Sequence, residues 1–262
     1  MSVSNPLCPN ASCVVLVPVG NRIEPQVEAA LRELERRGYP VWRSYGCSAI
    51  DFARSRLATQ ALSQGFQETL WIDSDVLFEP NDVDQMRATA MRDIVAAGVV
   101  GAAPALASEE LAEQRPGVIS GVYVKKGLRE LAVQLLVNDT TLVFGRGGGF
   151  APVRYAPCGM LLVRDWIYRR VQENCRLPTC QTNERWGVVP YFLPLVVDET
   201  PGPTYLCEDF AFSHRVRQCG VTIWADMRMR LFHYGNYPFG WEDAGKDVER
   251  FQTYRFTLSR KG

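Results

Sequence analysis

Histidine is nearly missing from these 262 residues: there are two, His214 and His233. The eight cysteines are scattered and none forms a C-x-x-C pair. A structural zinc site, built from four such ligands at short spacings, is therefore not expected. Net charge is missing too, with 29 basic against 29 acidic residues and no Lys/Arg run longer than two. A surface of that kind has no general reason to bind a nucleic-acid backbone. Long apolar runs are also lacking. The longest stretch of small apolar residues, Ile94 to Ala107, is broken by glycines and Pro104 and is too short to span a bilayer. It predicts a buried strand and a loop, and no transmembrane segment. Residues Met1 to Pro9 hold neither a basic cluster nor an apolar core, so no export signal is read there. The expected location is cytoplasmic and the expected state of the cysteines is the free thiol. Cys175 and Cys180 are spaced to close a small loop, but a disulfide between them is not expected.

What is present is an ordinary globular composition, 47% apolar and 22% charged, around one distinctive stretch. Leu70-Trp71-Ile72-Asp73-Ser74-Asp75-Val76-Leu77-Phe78 places two acids one residue apart between apolar runs. The first run reads as a strand buried on both faces, as in parallel sheets. In open α/β sheets ligands bind at the carboxyl ends of strands, where Asp73 and Asp75 fall. In extended geometry both carboxylates would point to one side, and hard cations such as Mg²⁺ or Mn²⁺ take such oxygens. The plainer reading is that the acids only cap the turn that follows.

The rest of the chain supports a sheet around that strand. Ser12 to Pro18 reads as a first buried strand. Pro25 opens a helix whose stripe is Val27, Ala30, Leu31 and Leu34, stopped at Gly38. Val41 to Tyr45 is a second strand. Ser48 to Asp51 resembles a capping box, opening a helix that buries Ile50, Leu57, Ala58 and Ala61. Arg54 lies near the centre of that apolar stripe, where a guanidinium needs a partner: either it snorkels to the surface or it reaches a phosphate or a strand-end acid. Arg56 faces the other way. This β-α-β-α-β order predicts a parallel, doubly wound half.

Asn81 to Asp93 reads as a surface helix leading, through Asp93 to Val100, into a strand, and Val118 to Val124 as another strand. Gly145 to Gly149 reads as a mobile turn, with a substrate lid as the other reading. Gly159, inside a strand-like run, suggests close approach of another group. Cys175 to Pro203 reads as irregular. Glu208-Asp209 opens a helix in which His214 shares an apolar face, the signature of a packed core histidine. Trp241, Phe251, Tyr254 and Phe256 suggest a tail that packs back.

In order, these pieces resemble the GT-A-fold glycosyltransferases, which use nucleotide-sugar donors. Val17-Pro18-Val19 looks like the first-strand end that meets the nucleotide base, and Ala53-Arg54-Ser55-Arg56 like the helix before the metal strand. Asp73-Ser74-Asp75 matches the D-x-D, Ala156-Pro157-Cys158-Gly159-Met160 the segment lining the donor sugar, Glu208-Asp209 the helix start with the general base of inverting members. His233 matches the late histidine of the metal site. Cys158 departs from the glycine or alanine common there, and Glu109 to Phe150 has no counterpart.

The resemblance implies an α/β GT-A fold: a Rossmann-like, mostly parallel sheet flanked by helices, in one domain over 1–262. Residues 12–100 would bind nucleotide, 101–235 would form a mixed half for donor sugar and acceptor, and 236–262 a tail. It implies a metal-dependent, hexosyltransferase-like enzyme of the large inverting kind. Asp209, with Glu208 as alternate, would be the base. Pro18, Val19, Asn21, Arg54, Asp73 and Gly159 would hold the donor, and Asp73, Asp75 and His233 the ion. The cofactor would be Mn²⁺ or Mg²⁺, the donor a nucleoside diphosphate sugar (UDP or GDP), and the acceptor a hydroxyl on a glycan or small molecule. Two alternatives stay open: a sugar-phosphate nucleotidyltransferase, for which Val19-Gly20-Asn21-Arg22 is a poor phosphate loop, and a non-catalytic nucleotide-binding module.

Overall fold

The computed structural model describes residues 9–99, 115–136, 141–199 and 201–245. Strand β1 (Cys13–Val19) is buried along its whole length, as a non-alternating apolar run requires of a strand covered on both faces. Helix α1 (Pro25–Arg36) carries proline in its first turn and buries Val27, Ala30, Leu31 and Leu34. Strand β2 (Val41–Tyr45) and strand β3 (Glu68–Ile72) pair parallel to β1 on either side. Between them runs helix α2 (Ile50–Ser63). Its N-cap is Ala49, without a side-chain cap bond, so the capping box read at Ser48 does not form. Arg56 is exposed and Ile50 half-buried.

After strand β4 (Val76–Leu77) come helix α3 (Pro80–Ala88) and helix α4 (Met91–Ala97). One helix followed by a strand was expected; the helix instead breaks at Thr89 and restarts. The Ala90 N–H donates to Asp93 at 2.8 Å, and Met91 and Ile94 pack with Phe150 and Trp224. Met-Arg-Asp-Ile-Val-Ala-Ala has one apolar side at helical spacing, and only Val99, bridged to Phe150, is strand-like. Residues 100–107 lie outside the described residues.

Next come strand β5 (Val118–Gly121), strand β6 (Gln134–Leu135), strand β7 (Phe150–Tyr155) and strand β8 (Met160–Arg164). Helix α5 (Asp165–Asn174) follows. The stretch expected to be irregular contains strand β9 (Leu195–Glu199), which pairs with strand β10 (Gly202–Leu206) as an antiparallel hairpin. Helix α6 (Glu208–Gln218), strand β11 (Ile223–Asp226), strand β12 (Phe232–Tyr234) and strand β13 (Pro238–Phe239) close the described chain.

The main sheet is mixed, in the order β2-β1-β3-β8-β5-β11-β7-β6. The first three strands are parallel, as is β5 with β11, whereas β8 runs antiparallel to both β3 and β5, and β7 antiparallel to β11. Alternate side chains feed two cores. Val15, Val17, Leu70, Ile72 and Leu162 pack under α1 and α3, while Val14, Leu16, Trp71 and Leu161 pack under α2, α5 and α6. Helix α2 is clasped from outside as well. Ser55 Oγ accepts the Phe192 N–H at 3.1 Å and Thr59 Oγ1 the Val189 N–H at 2.9 Å.

At the glycine run two stretches of backbone come close together. A Cβ on Gly148 would lie 2.8 Å from the Val143 carbonyl and 2.9 Å from that of Met227, and one on Gly149 would meet the Gly98 carbonyl. Backbone crosses backbone there, which only glycine permits. Of the expected tail, Trp241 packs back, its indole N–H on the Val122 carbonyl at 3.3 Å and its ring 4.9 Å from Phe144; Phe251, Tyr254 and Phe256 lie outside the described residues.

Candidate active site

Backbone hydrogen bonds assemble the site before any side chain acts. Ile72 ends β3 opposite Met160 of β8, and the chain then turns. The Asp73 N–H donates to the Gly159 carbonyl at 3.2 Å, and the Val76 N–H to the Asp73 carbonyl at 3.2 Å. The two acids thus sit in a turn, not on an extended strand. The Glu24 N–H reaches the Ser74 carbonyl at 2.9 Å, tying the loop after β1 to that turn. Strand β12 pairs antiparallel to β4 with His233 opposite Val76, and the Tyr234 N–H donates to the Asp75 carbonyl at 2.8 Å.

The acids take different partners. Asp73 accepts from Arg54 Nη2 at 2.7 Å, and Arg54 Nε lies 3.7 Å from Glu208. The guanidinium is 4% exposed and sits 5.5 Å over the Trp71 ring. Burial disfavours its charge, but Asp73, Cys158 and Glu208 outweigh this and hold its pKa above the ordinary value. Its Nε and Nη1 are buried without a hydrogen-bond partner. A buried cation with unused donors suits an anionic ligand.

Asp75 is paired with Lys126, and His233 Nε2 stands 3.6 Å from its other oxygen. Burial opposes ionisation of Asp75, but the hydrogen bonds from His233 and Lys126 hold its carboxyl below the usual range. His233 Nδ1 is 3.0 Å from the Val124 carbonyl. A carbonyl only accepts, so Nδ1 carries a proton, and Nε2 faces the Asp75 carboxylate. That is the arrangement of a metal-ligating histidine with its second nitrogen anchored.

Glu208 and Asp209 begin α6, where the helix dipole favours anions. Burial pushes both carboxyls above their ordinary values, joined at Glu208 by the charge of Asp209. Asp209 Oδ1 accepts its neighbour's Phe210 N–H at 2.7 Å and the Cys207 thiol at 3.2 Å. Burial and Asp209 raise that thiol to about 12. Cys207, Glu208 and Asp209 place ligand atoms within 4.8 Å of one another. The thiol donates to Asp209, so two of the three are linked by a hydrogen bond.

The remaining predicted residues fall as follows. Pro18 and Val19 are buried at the end of β1, with the Val19 carbonyl accepting the Cys47 N–H at 3.2 Å, and Asn21 is exposed just beyond. The group close to Gly159 is the protein's own Tyr123, whose hydroxyl accepts the Gly159 N–H at 3.1 Å; a Cβ there would strike it, and Val76 Cγ2 at 2.9 Å. His214 is half-buried and not a core residue; burial lowers its pKa.

Sequence reading missed Lys126, Tyr123 and Cys207. Lys125-Lys126 directly after an apolar strand was the available signal for the first. Nothing local marked Tyr123 or Cys207, whose roles depend on β8 and on the turn into α6.

No protein-family profile matches the chain, and no curated protein matches it. Among solved structures it is similar to the crystal structure of A197 from STIV, at 12% identity, covering 92% of this chain and 100% of that one, with a TM-score of 0.51. The likeness is one of mixed α/β fold.

Proposed function

We propose that the chain is a metal-dependent glycosyltransferase of GT-A architecture, moving a sugar from a nucleoside diphosphate sugar to an acceptor hydroxyl with inversion. The observation that carries this reading is Arg54. It is a buried guanidinium with two unused donors, bound to the first acid of the D-x-D and 3.7 Å from the glutamate of the E-D pair. That contact joins the segment expected to face the donor with the segment expected to face the acceptor.

In this reading Asp209 takes the acceptor proton as its oxygen attacks the anomeric carbon. Its raised pKa keeps it basic enough to do so near neutral pH. Glu208 orients Arg54, whose free N–H groups meet the charge gathering on the departing diphosphate. Asp75 and His233, with Asp73 beside them, are a carboxylate and imidazole set suited to Mn²⁺ or Mg²⁺. Such an ion, when bound, neutralises the leaving diphosphate. Tyr123 and Gly159 hold the Asp73 turn in place.

Thermal denaturation with UDP-, GDP-, CMP- and dTDP-sugars, each with and without Mn²⁺, tests the proposal. One donor should raise the melting point only with Mn²⁺, by mass action, and Asp75→Asn should abolish that shift. A panel without any shift would remove the donor site.

A further inference from the structure

Away from the candidate site, helices α5 and α6 end in the same way. The Arg176 N–H donates to the Glu173 carbonyl at 3.2 Å and the Leu177 N–H to that of Gln172 at 2.9 Å. At the end of α6, the Gly220 N–H donates to Arg217 at 2.9 Å and the Val221 N–H to Val216 at 3.4 Å. These are paired Schellman turns, with Arg176 (φ 51°) and Gly220 (φ 77°) in the left-handed position. In both, the C-cap residue just before is a cysteine, Cys175 or Cys219.

The two turns meet. Cys219 Sγ lies 3.8 Å from the Arg170 carbonyl, in the last turns of α5. Cys175 packs against the core cluster that contains Cys219, and the two thiols lie close enough to interact. Cys180, the partner suggested by spacing, is instead held in a bridge to Val188, its N–H on that carbonyl at 2.7 Å. Cys219 is 5% exposed, whereas Cys175 is half-buried and reachable from solvent.

We propose that Cys175 and Cys219 are a thiol pair built to form a disulfide, a modification site that clamps the C-terminal ends of α5 and α6. The oxidant is a small-molecule disulfide such as oxidised glutathione. The Cys175 thiolate attacks one of its sulfurs and expels one thiol. The Cys219 thiolate then displaces the second thiol from the mixed disulfide. Two protein S–H groups and one small disulfide become one protein disulfide and two small thiols. Two hydrogen-bonded turns hold the pair, so the second step is intramolecular. The link would close a 44-position segment that includes the β9–β10 hairpin and the Glu208-Asp209 helix start.

The test is incubation of the full chain with oxidised glutathione, followed by alkylation, peptide mapping and thermal denaturation. The expected result is a Cys175–Cys219 cross-linked peptide, loss of two of the eight thiols, and a melting point higher by roughly 5–15 °C. Dithiothreitol should reverse the shift, and Cys175→Ser, at the more exposed position, should abolish it while leaving the reduced melting point unchanged. A Cys175–Cys180 link, both thiols still alkylated after oxidation, or a shift that persists in Cys175→Ser would overturn the proposal.

Discussion

Replacing Arg54 by methionine keeps the aliphatic stem and removes the charge, and the structure fixes what should follow. Asp73 loses its 2.7 Å partner, and Glu208 loses a cation at 3.7 Å. Removing one member of a fully buried ion pair costs about 3–5 kcal/mol. Asp73 keeps 29% of its side chain in solvent, and screening reduces the cost to about 2–3 kcal/mol. For a chain of this length that lowers the melting point by about 5–10 °C near neutral pH. The loss should depend on pH. Glu208 and Asp209 already sit above their ordinary values, and without Arg54 they rise further. Carboxyls with a folded pKa above the unfolded one bind more protons in the fold, so stability falls as pH rises through that range. Circular dichroism melts of Arg54→Met from about pH 8 to about pH 5 should therefore show the deficit shrinking as protons replace the guanidinium. In a cycle with Asp73→Asn the two changes should couple by about 1–3 kcal/mol. A deficit under about 1 °C, or one equal at both ends of the pH range, would show that Arg54 does not neutralise this cluster.

Asp209→Asn should abolish transfer yet raise the melting point by about 2–4 °C, because it removes an anion that burial disfavours; an active or destabilised variant would contradict the assigned base. Gly159→Ala should cost about 1–3 kcal/mol in urea unfolding, since its methyl meets Tyr123; a neutral result would mean that Tyr123 is not fixed there. Lys126→Met frees Asp75 of its ion pair, so Mn²⁺ should bind about 2- to 5-fold tighter by calorimetry. Weaker binding would make Lys126 a supporting residue and not a competitor.

Where burial alone dictated structure, the sequence was readable. The solid apolar run of β1 and the 3.6-residue stripe of α1 formed as read. Arg54 was conspicuous because a guanidinium cannot lie on a buried stripe without an anion, and it found one 19 positions away at Asp73. The errors arose where two patterns are locally equivalent. Met91 to Ala97 is short and apolar enough for strand or helix, and contacts with Phe150 and Trp224 decided for helix. The glycines at 148 and 149 carried no sign that two backbones cross there. The β9–β10 hairpin hid among prolines because one face, with Val196 and Tyr205, stays exposed. His233 was named beside Asp75 only through the resemblance, and the β12–β4 register is what brings it there; Lys126, which reaches Asp75 through the turn after Val124, was not legible.

The most direct test of the account is release of nucleoside diphosphate from a panel of nucleotide sugars, with water as the slow acceptor. Wild type, Asp75→Ala and Asp209→Asn should be compared with and without Mn²⁺. Wild type should show Mn²⁺-dependent release from one donor, Asp75→Ala none, and Asp209→Asn binding without release. Release by Asp75→Ala at the wild-type rate, or none from any donor by wild type, would contradict it.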